Sequence, residues 1–155
     1  MSLRVQLYDA FSGINSGEKS ALVKFLLCNN SEETDASVIE EAIDHALKIK
    51  PSFGGFIFTT WEAGRLMAAV LVNKTGMSGF NPGCLLTYAC VDKSHRQKTK
   101  ILRDLIQRTI KNAKGDIGLH LKRDSPALPI FESLGFEEQY LELRFEQKRR
   151  AVSVG

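Results

Sequence analysis

The stretch "LLTYACVDKSHRQKTKILRDLI", Leu85 to Ile106, joins an apolar run, a basic turn and an amphipathic run. Leu85–Val91 is apolar at odd and even positions alike, which predicts a central strand covered on both faces. After the turn, apolar residues recur at helical spacing up to Gly115, at Ile101, Leu102, Leu105, Ile106, Ile110 and Ala113. The stretch therefore predicts a buried strand followed directly by a helix.

Basic side chains crowd the junction between this strand and this helix. The basic cluster, as we call it, comprises Lys93, His95, Arg96, Lys98, Lys100 and Arg103. A helix N-terminus presents free amide groups and a partial positive charge, so basic residues at such a junction favour an anionic ligand such as a phosphate. The alternative interpretation is a solvated basic turn.

The sequence on either side predicts further strands and helices. Upstream, we expect a strand at Arg4–Asp9, two helices around Ala21–Leu26 and Val38–Leu47, the second stopped by Pro51, and a hairpin of Phe56–Trp61 with Leu66–Val72. Downstream, we expect a strand at Ile117–Leu121, a short helix within Ser125–Phe136, and a half-exposed last strand through Leu141, Leu143 and Phe145. Asp124 or Ser125 would be the N-cap of the short helix, and Pro126 would take its first position. Pro129 would cost the helix a backbone hydrogen bond, and Gly135 would follow its C-terminal end.

Composition restricts the class of protein. The 155 residues are 43% apolar and 25% charged, which is typical of one soluble globular domain and excludes a disordered chain. We predict a single domain over 1–155, with flexible ends at 1–3 and 147–155. No apolar run could cross a membrane and no signal pattern opens the chain, so we expect a cytoplasmic protein. Cys28, Cys84 and Cys90 lack metal-ligand spacing, so we expect free thiols and no metal.

The order of the elements, together with "FESLGF" at Phe131–Phe136, resembles the GNAT superfamily of acyl-CoA N-acyltransferases, whose members end in a similar Y-x-x-L-G-F motif. The resemblance implies an α+β fold in α/β/α layers. Its mixed, mostly antiparallel central sheet would have about six to seven strands and about four flanking helices, with strands 4 and 5 parallel and splayed. It also implies acetyl-CoA as the acyl donor.

The family's phosphate loop, Q/R-x-x-G-x-G/A, can be aligned here from Arg96 or from Gln97. We prefer Gln97, because Ile101, Leu105 and Ile106 then match the family's apolar helix positions. Lys100 and Leu102 replace the two glycines, so side-chain charge would substitute for close backbone contact. The resemblance implies these cofactor-binding residues: Ala89, Cys90, Val91, Arg96, Gln97, Lys98, Thr99, Lys100, Ile101, Leu102, Asp124 and Phe131.

The family's catalytic positions are altered in this chain. Leu85 and Thr87 stand where members place a base, and Phe131 stands where a tyrosine commonly protonates the leaving thiolate. The weak candidates that remain are His120, Tyr88 and Tyr140, each of which also has a structural interpretation. A covalent intermediate on Cys90 is disfavoured, because its apolar surroundings would not stabilise a thiolate.

Three hypotheses about function follow. The first is an acyl-CoA-dependent N-acyltransferase, acting by direct attack in a ternary complex on a primary amine of a small molecule, protein or peptide. The second is a catalytically degenerate domain of the same fold that binds acyl-CoA or serves regulation or interaction. A nucleic-acid binder is disfavoured, since net charge is only +3 and no aromatic residue interrupts the basic cluster. The oligomeric state, monomer or homodimer, stays open.

Overall fold

The structure is a computed structural model that describes residues 2–30 and 34–147. These described residues form five strands and four helices. In chain order they are β1 (Leu3–Tyr8), α1 (Ser16–Asn29), α2 (Ala36–Ala46), β2 (Gly55–Glu62), β3 (Arg65–Lys74), β4 (Cys84–Val91), α3 (Lys98–Ala113), β5 (Ile117–Gly118) and α4 (Leu128–Ser133).

The strands form one open sheet in the order β1-β2-β3-β4-β5. Neighbours are antiparallel from β1 to β4, and β4 with β5 is the parallel pair. The β2–β3 hairpin turns at Ala63 and Gly64, which both have positive φ, as tight hairpin turns require. The predicted hairpin, the mixed sheet and the parallel β4–β5 pair are confirmed.

Helices cover both faces of the sheet, which gives the predicted α/β/α layers. On one face, α1 and α2 pack against a core that includes Ile57, Leu71 and Tyr88. On the other face, α3 and α4 pack against a second core that includes Phe58, Val70 and Leu86. Strand β4 contributes side chains to both cores, so its prediction as a central strand is confirmed.

The strand count is lower than predicted, because the two last strands are short or absent. β5 ends at Gly118, although the alternation predicted a strand as far as Leu121. Leu141, Leu143 and Phe145 lie outside any strand and are exposed. An alternating segment forms a strand only where a neighbouring backbone hydrogen-bonds with it. Within the described residues, the backbone after Gly118 forms no such ladder with residues 137–147.

The predicted N-terminus of α4 was also wrong. Ala127 is the N-cap, and Asp124 and Ser125 lie in the preceding turn. Pro126 therefore precedes the helix and Pro129 falls in its first two positions, where no intrahelical hydrogen bond is lost. Gly135 follows the C-cap Leu134 with positive φ, as predicted.

Some predictions concern residues that the structure does not describe. Residue 1 of the predicted flexible end 1–3, and residues 148–155 of the predicted flexible end 147–155, lie outside the described residues, whereas Leu3 begins β1. Within 2–30 and 34–147, no helix combines the length and apolar character that crossing a bilayer requires.

Candidate functional site

Strands β4 and β5 are hydrogen-bonded over a very short distance. Only Cys84 with Ile117 and Leu85 with Gly118 are paired. Beyond Leu85, the edge of β4 that faces β5 has no backbone partner among the described residues, and this free edge includes the predicted cofactor-binding residues Ala89, Cys90 and Val91. Unpaired strand edges bind extended ligands through backbone hydrogen bonds. The two strands therefore leave a slot whose wall is the free edge of β4.

A β-bulge in β4 changes which residues face which helices. Leu71 pairs with Tyr88 whereas its neighbour Val72 pairs with Leu86, so Thr87 is the extra residue. Leu86 packs in the core with α3, and Tyr88 packs in the core with α1 and α2. In a regular strand these two side chains would share a face.

The bulge places Thr87 and Tyr88 on the same side of the sheet. The Thr87 hydroxyl donates to Oδ1 of Asn73 at 2.5 Å, and the Asn73 amide donates to the Ala42 carbonyl of α2 at 3.0 Å. Tyr88 is 8% exposed, and its hydroxyl lies 3.4 Å from Oγ1 of Thr34, between α1 and α2. In a regular strand Tyr88 would face away from Thr87, and the bulge removes that alternation.

The N-terminus of α3 lies beside the free edge, at the end of the turn that follows β4. The helix begins at Lys98 with Gln97 as N-cap, about half a turn before the start that we predicted near Lys100. The amides of Thr99 and Lys100 have no acceptor among the described residues, and Gln97 makes no side-chain cap. Two amide donors and the positive end of the helix dipole are therefore available to an anion.

His95 fixes the conformation of the turn that leads into α3. Its Nδ1 accepts the amide hydrogen of Gln97 at 3.0 Å, and its carbonyl accepts that of Lys98 at 3.2 Å. Because Nδ1 is an acceptor, the ring proton lies on Nε2, which donates to Oε1 of Glu62 at 3.3 Å. Sequence reasoning counted His95 only as a positive charge and missed Glu62, which comes from the far end of β2.

Asp92 begins the same turn. Its carboxylate accepts hydrogen bonds from the hydroxyl and the amide of Ser94, at 2.6 and 2.9 Å. These bonds, the hydroxyl's first, hold the pKa of Asp92 below its usual value. The turn is thus held at both ends by its own side chains.

The charge at this turn is positive and exposed to solvent. Arg96, Lys98 and Lys100 are exposed, and no carboxylate of the described residues lies within 4 Å of their charged groups. Gln97 and Thr99 are exposed beside them. The loop therefore brings together five of the predicted cofactor-binding residues, three of them cationic, around two free amides.

Other predicted cofactor-binding residues lie elsewhere. Ile101 and Leu102 are 3% and 4% exposed in the core beneath α3, and Phe131 is 1% exposed with its ring 5.2 Å from that of Phe136. Asp124 is exposed in the turn before α4. Ile101, Leu102 and Phe131 thus have side chains that belong to the core on the α3 side of the sheet.

The three catalytic candidates lie on different segments of the chain. Tyr88 follows the bulge on the free edge of β4. His120 is past the end of β5, with its side chain 66% exposed and 3.4 Å from Glu142. Tyr140 is 69% exposed, and its ring lies 5.0 Å from that of Phe80, in the loop before β4, with the two ring planes tilted by 50°. Of the three, Tyr88 is the residue that belongs to the free edge of β4.

Cys90 is a poor nucleophile in this environment. Burial raises its pKa to about 12, and the charge of Lys93 offsets this only in part. At neutral pH the thiol keeps its proton, which argues against a covalent intermediate. Cys84 is buried with a raised pKa, and Cys28 is exposed.

Two depressions of the surface lie away from the slot. One, of about 400 Å³, lies between the β3–β4 loop and the C-terminal end of α3. The other, of about 390 Å³, lies on α1 beside Glu40 of α2. Neither is lined by residues of the free edge or of the turn that leads into α3. The described residues hold no group of three or more His, Cys, Asp or Glu side chains placed to bind a metal.

The parallel pair β4–β5 thus separates after two residues, with the N-terminus of α3 and exposed cations at the turn that follows β4. Structure comparison finds this fold in GNAT-family acetyltransferases. A GNAT-family acetyltransferase from Streptococcus pneumoniae superposes with a TM-score of 0.69 at 14% identity, covering 96% of this chain and 100% of the other.

Two further similar structures contain CoA. The NatC complex bound to Gag peptide and CoA matches with a TM-score of 0.70 at 14% identity, over 90% of this chain and 87% of the other. An aminoglycoside N-acetyltransferase in complex with CoA matches with a TM-score of 0.62 at 14% identity, over 96% and 98%. No family model and no curated protein sequence matches the chain. The chain thus has the GNAT fold.

Proposed function

We propose that this protein is an acyl-CoA-dependent N-acyltransferase that transfers an acyl group, most simply acetyl, to a primary amine. The observation that carries the proposal is the free edge of β4 ending beside two unbonded amides, those of Thr99 and Lys100. These two features match an acyl-CoA donor. Its extended thioester arm needs a strand-like partner for backbone hydrogen bonds, and its diphosphate needs an anion site. The amine would belong to a small molecule, protein or peptide.

The residues of this chain fit that donor in a definite way. The backbone of Ala89, Cys90 and Val91 would hydrogen-bond the pantetheine arm, as a neighbouring strand would. The amides of Thr99 and Lys100 would meet the diphosphate, and the side chains of Arg96, Lys98 and Lys100 would add charge. Lys100 and Leu102 stand at the positions of the family's two glycines, so this site would hold phosphates mainly through the charged side chains around them.

The reaction itself is an acyl transfer. The amine nitrogen forms an amide bond with the acyl carbon, the carbon–sulfur bond breaks, and one proton passes from nitrogen to sulfur. The protein's main contribution would be to hold amine and thioester together, since proximity can supply about 7 to 11 kcal/mol. A missing general acid or base typically costs about 10² to 10⁴ in rate, which is the smaller effect.

Tyr88 is the side chain we favour for the proton that reaches sulfur. The bulge at Thr87 turns it toward α1 and α2, next to the free edge, and its hydroxyl is 3.4 Å from Thr34. No acidic or imidazole side chain stands at Leu85 or Thr87 to act as a base. The amine would therefore have to react in its neutral form, with its proton leaving through water.

Two measurements test the proposal in sequence. Thermal denaturation with acetyl-CoA at about a hundred times its dissociation constant should add about 2.7 kcal/mol to the free energy of unfolding. Thiol release with a panel of primary amines then tests turnover. No stabilisation at millimolar acetyl-CoA would contradict the site, whereas stabilisation without turnover for any amine would indicate a protein that binds acyl-CoA and does not react.

The pH dependence of turnover tests the missing base. If the enzyme supplies none, kcat/KM should rise about tenfold per pH unit up to the pKa of the amine and follow that pKa from one amine to the next. A plateau at the same lower pH for every amine would instead reveal a base within the protein.

A further inference from the structure

The segment 137–147, which we call the C-terminal segment, exposes an apolar row. Leu141, Leu143 and Phe145 are 74%, 86% and 86% exposed. They alternate with Glu142 and Arg144, so in an extended chain they share one face. Side chains of this kind normally lie in a core, and three together on one extended segment indicate a surface that another chain covers.

The C-terminal segment also leaves its backbone unpaired. None of its amides or carbonyls forms a backbone hydrogen bond with the other described residues. Side chains alone hold it beside the chain that follows β5: Arg123 lies 3.0 Å from Glu138, and His120 lies 3.4 Å from Glu142. His120 contacts Glu142, and Arg123, three residues later, contacts Glu138, four residues earlier. The two segments therefore run antiparallel.

The sequence of the C-terminal segment is complementary to itself. If two copies run antiparallel with Leu143 opposite Leu143, Leu141 comes opposite Phe145 and Glu142 comes opposite Arg144, twice each. Apolar residues thus meet apolar residues and each of these charges meets its opposite, the arrangement that stabilises an antiparallel strand pair.

We propose that the protein binds a second copy of itself through the C-terminal segment, as an antiparallel pair of strands with its two-fold axis at Leu143. The pairing supplies partners for the unpaired backbone, since each strand donates to and accepts from the other. It brings the two apolar rows side by side on one face of the ribbon, with the Glu142–Arg144 contacts on the other. This proposal does not depend on the acyltransferase function.

Charge exchange gives the sharpest test. Glu142→Arg and Arg144→Glu each place like charges opposite each other twice in a homodimer, and each should raise the dimer dissociation constant at least tenfold. The double exchange restores opposite charges and should restore the dimer. An equimolar mixture of the two single variants should form a heterodimer, because every contact then joins opposite charges.

The measurements are analytical ultracentrifugation and light scattering on the full chain, and the matched control is Arg108→Glu. Arg108 forms an exposed ion pair with Asp104 on α3, so its exchange should leave the dissociation constant unchanged. Circular dichroism confirms that each variant is folded. A wild-type protein that stays monomeric at hundreds of micromolar overturns the proposal, and so does a dimer that neither single exchange weakens.

Cross-linking tests the register independently. Opposite residues of an antiparallel pair bring their Cα atoms to about 4.5 to 5.5 Å, within disulfide range. In a Cys28→Ser background, Leu143→Cys should therefore form a covalent dimer on oxidation. Gln107→Cys, on the exposed face of α3, should not, and equal cross-linking of both variants would refute the register.

Discussion

Removing two lysines of the basic cluster should weaken the binding of acetyl-CoA and leave the binding of acetyl-pantetheine unchanged. Acetyl-pantetheine has the same arm and thioester but lacks the phosphate-bearing nucleotide, so the comparison separates contacts to the nucleotide and its phosphates from contacts to the arm. The variant is Lys98→Ala with Lys100→Ala. Both side chains are exposed and have no carboxylate of the described residues within 4 Å, so the change breaks no ion pair among those residues.

The size of the effect follows from exposure. A unit charge about 4 Å from another contributes about 1 kcal/mol in a water-like medium. Two such lysines contribute about 2 kcal/mol, which raises the dissociation constant about thirtyfold. Binding should persist, because the amides of Thr99 and Lys100 remain. The loss should shrink as salt rises from 0.05 to 0.5 M, since exposed charges are screened.

Isothermal titration calorimetry measures both ligands, and Lys24→Ala with Lys111→Ala is the matched control. These lysines are exposed on helices as well. Lys111 lies thirteen residues from Lys98 along α3, about 20 Å at the helical rise and well beyond the screening length of about 10 Å at 0.1 M salt. If the variant raises the dissociation constant of acetyl-CoA less than twofold, or raises that of acetyl-pantetheine equally, the proposal that charged side chains bind the phosphates is refuted.

Three further outcomes are expected. Phe131→Tyr should not accelerate turnover. It should lower the free energy of unfolding by about 1 to 3 kcal/mol in urea titrations, because the new hydroxyl would be buried without a hydrogen-bond partner. Faster turnover would show that this side chain reaches the thioester. Tyr88→Phe should lower kcat about 10²-fold and leave the dissociation constant of acetyl-CoA unchanged, as stopped-time thiol assays and calorimetry would show; an unchanged kcat would remove Tyr88 from the proton path. The free energy of unfolding should fall between pH 9 and 10, and Cys90→Ala should make this fall shallower by up to about 1.4 kcal/mol per pH unit. The reason is that the folded protein, in which the pKa of Cys90 is raised, keeps a proton that the unfolded chain releases above the ordinary pKa of 9.0. The stabilising contribution of Cys90 is complete below pH 9 and declines toward pH 12, so an identical slope in wild type and variant would contradict the burial of Cys90.

The sequence predicted the centre of the fold well because the relevant signals are local. Leu85–Val91 is apolar on both faces, and the structure covers it on both faces. The hairpin through Ala63 and Gly64 follows from turn chemistry within four residues. The basic cluster was placed at a strand-to-helix junction, and the structure brings Arg96, Lys98 and Lys100 to that junction.

The parts that were missed depend on residues far apart in the chain. The bulge at Thr87 is a property of the register between β3 and β4, and neither strand shows it alone. The contact of His95 with Glu62 joins residues 33 positions apart. The last strand was predicted from alternation, but alternation does not say whether the backbone after Gly118 offers it a ladder. The same unpaired backbone of residues 137–147 is the feature on which the proposed self-association rests.

The extra residue at Thr87 divides β4 into two halves of opposite phase. Deleting Thr87 would remove the bulge and make Leu86 and Tyr88 neighbours on opposite faces, so both side chains would keep the cores in which they now pack. The loss would be the hydrogen bond from Thr87 to Asn73, whose amide in turn holds the Ala42 carbonyl of α2. Thr87 is therefore a position at which β4 can shorten by one residue without reversing a face.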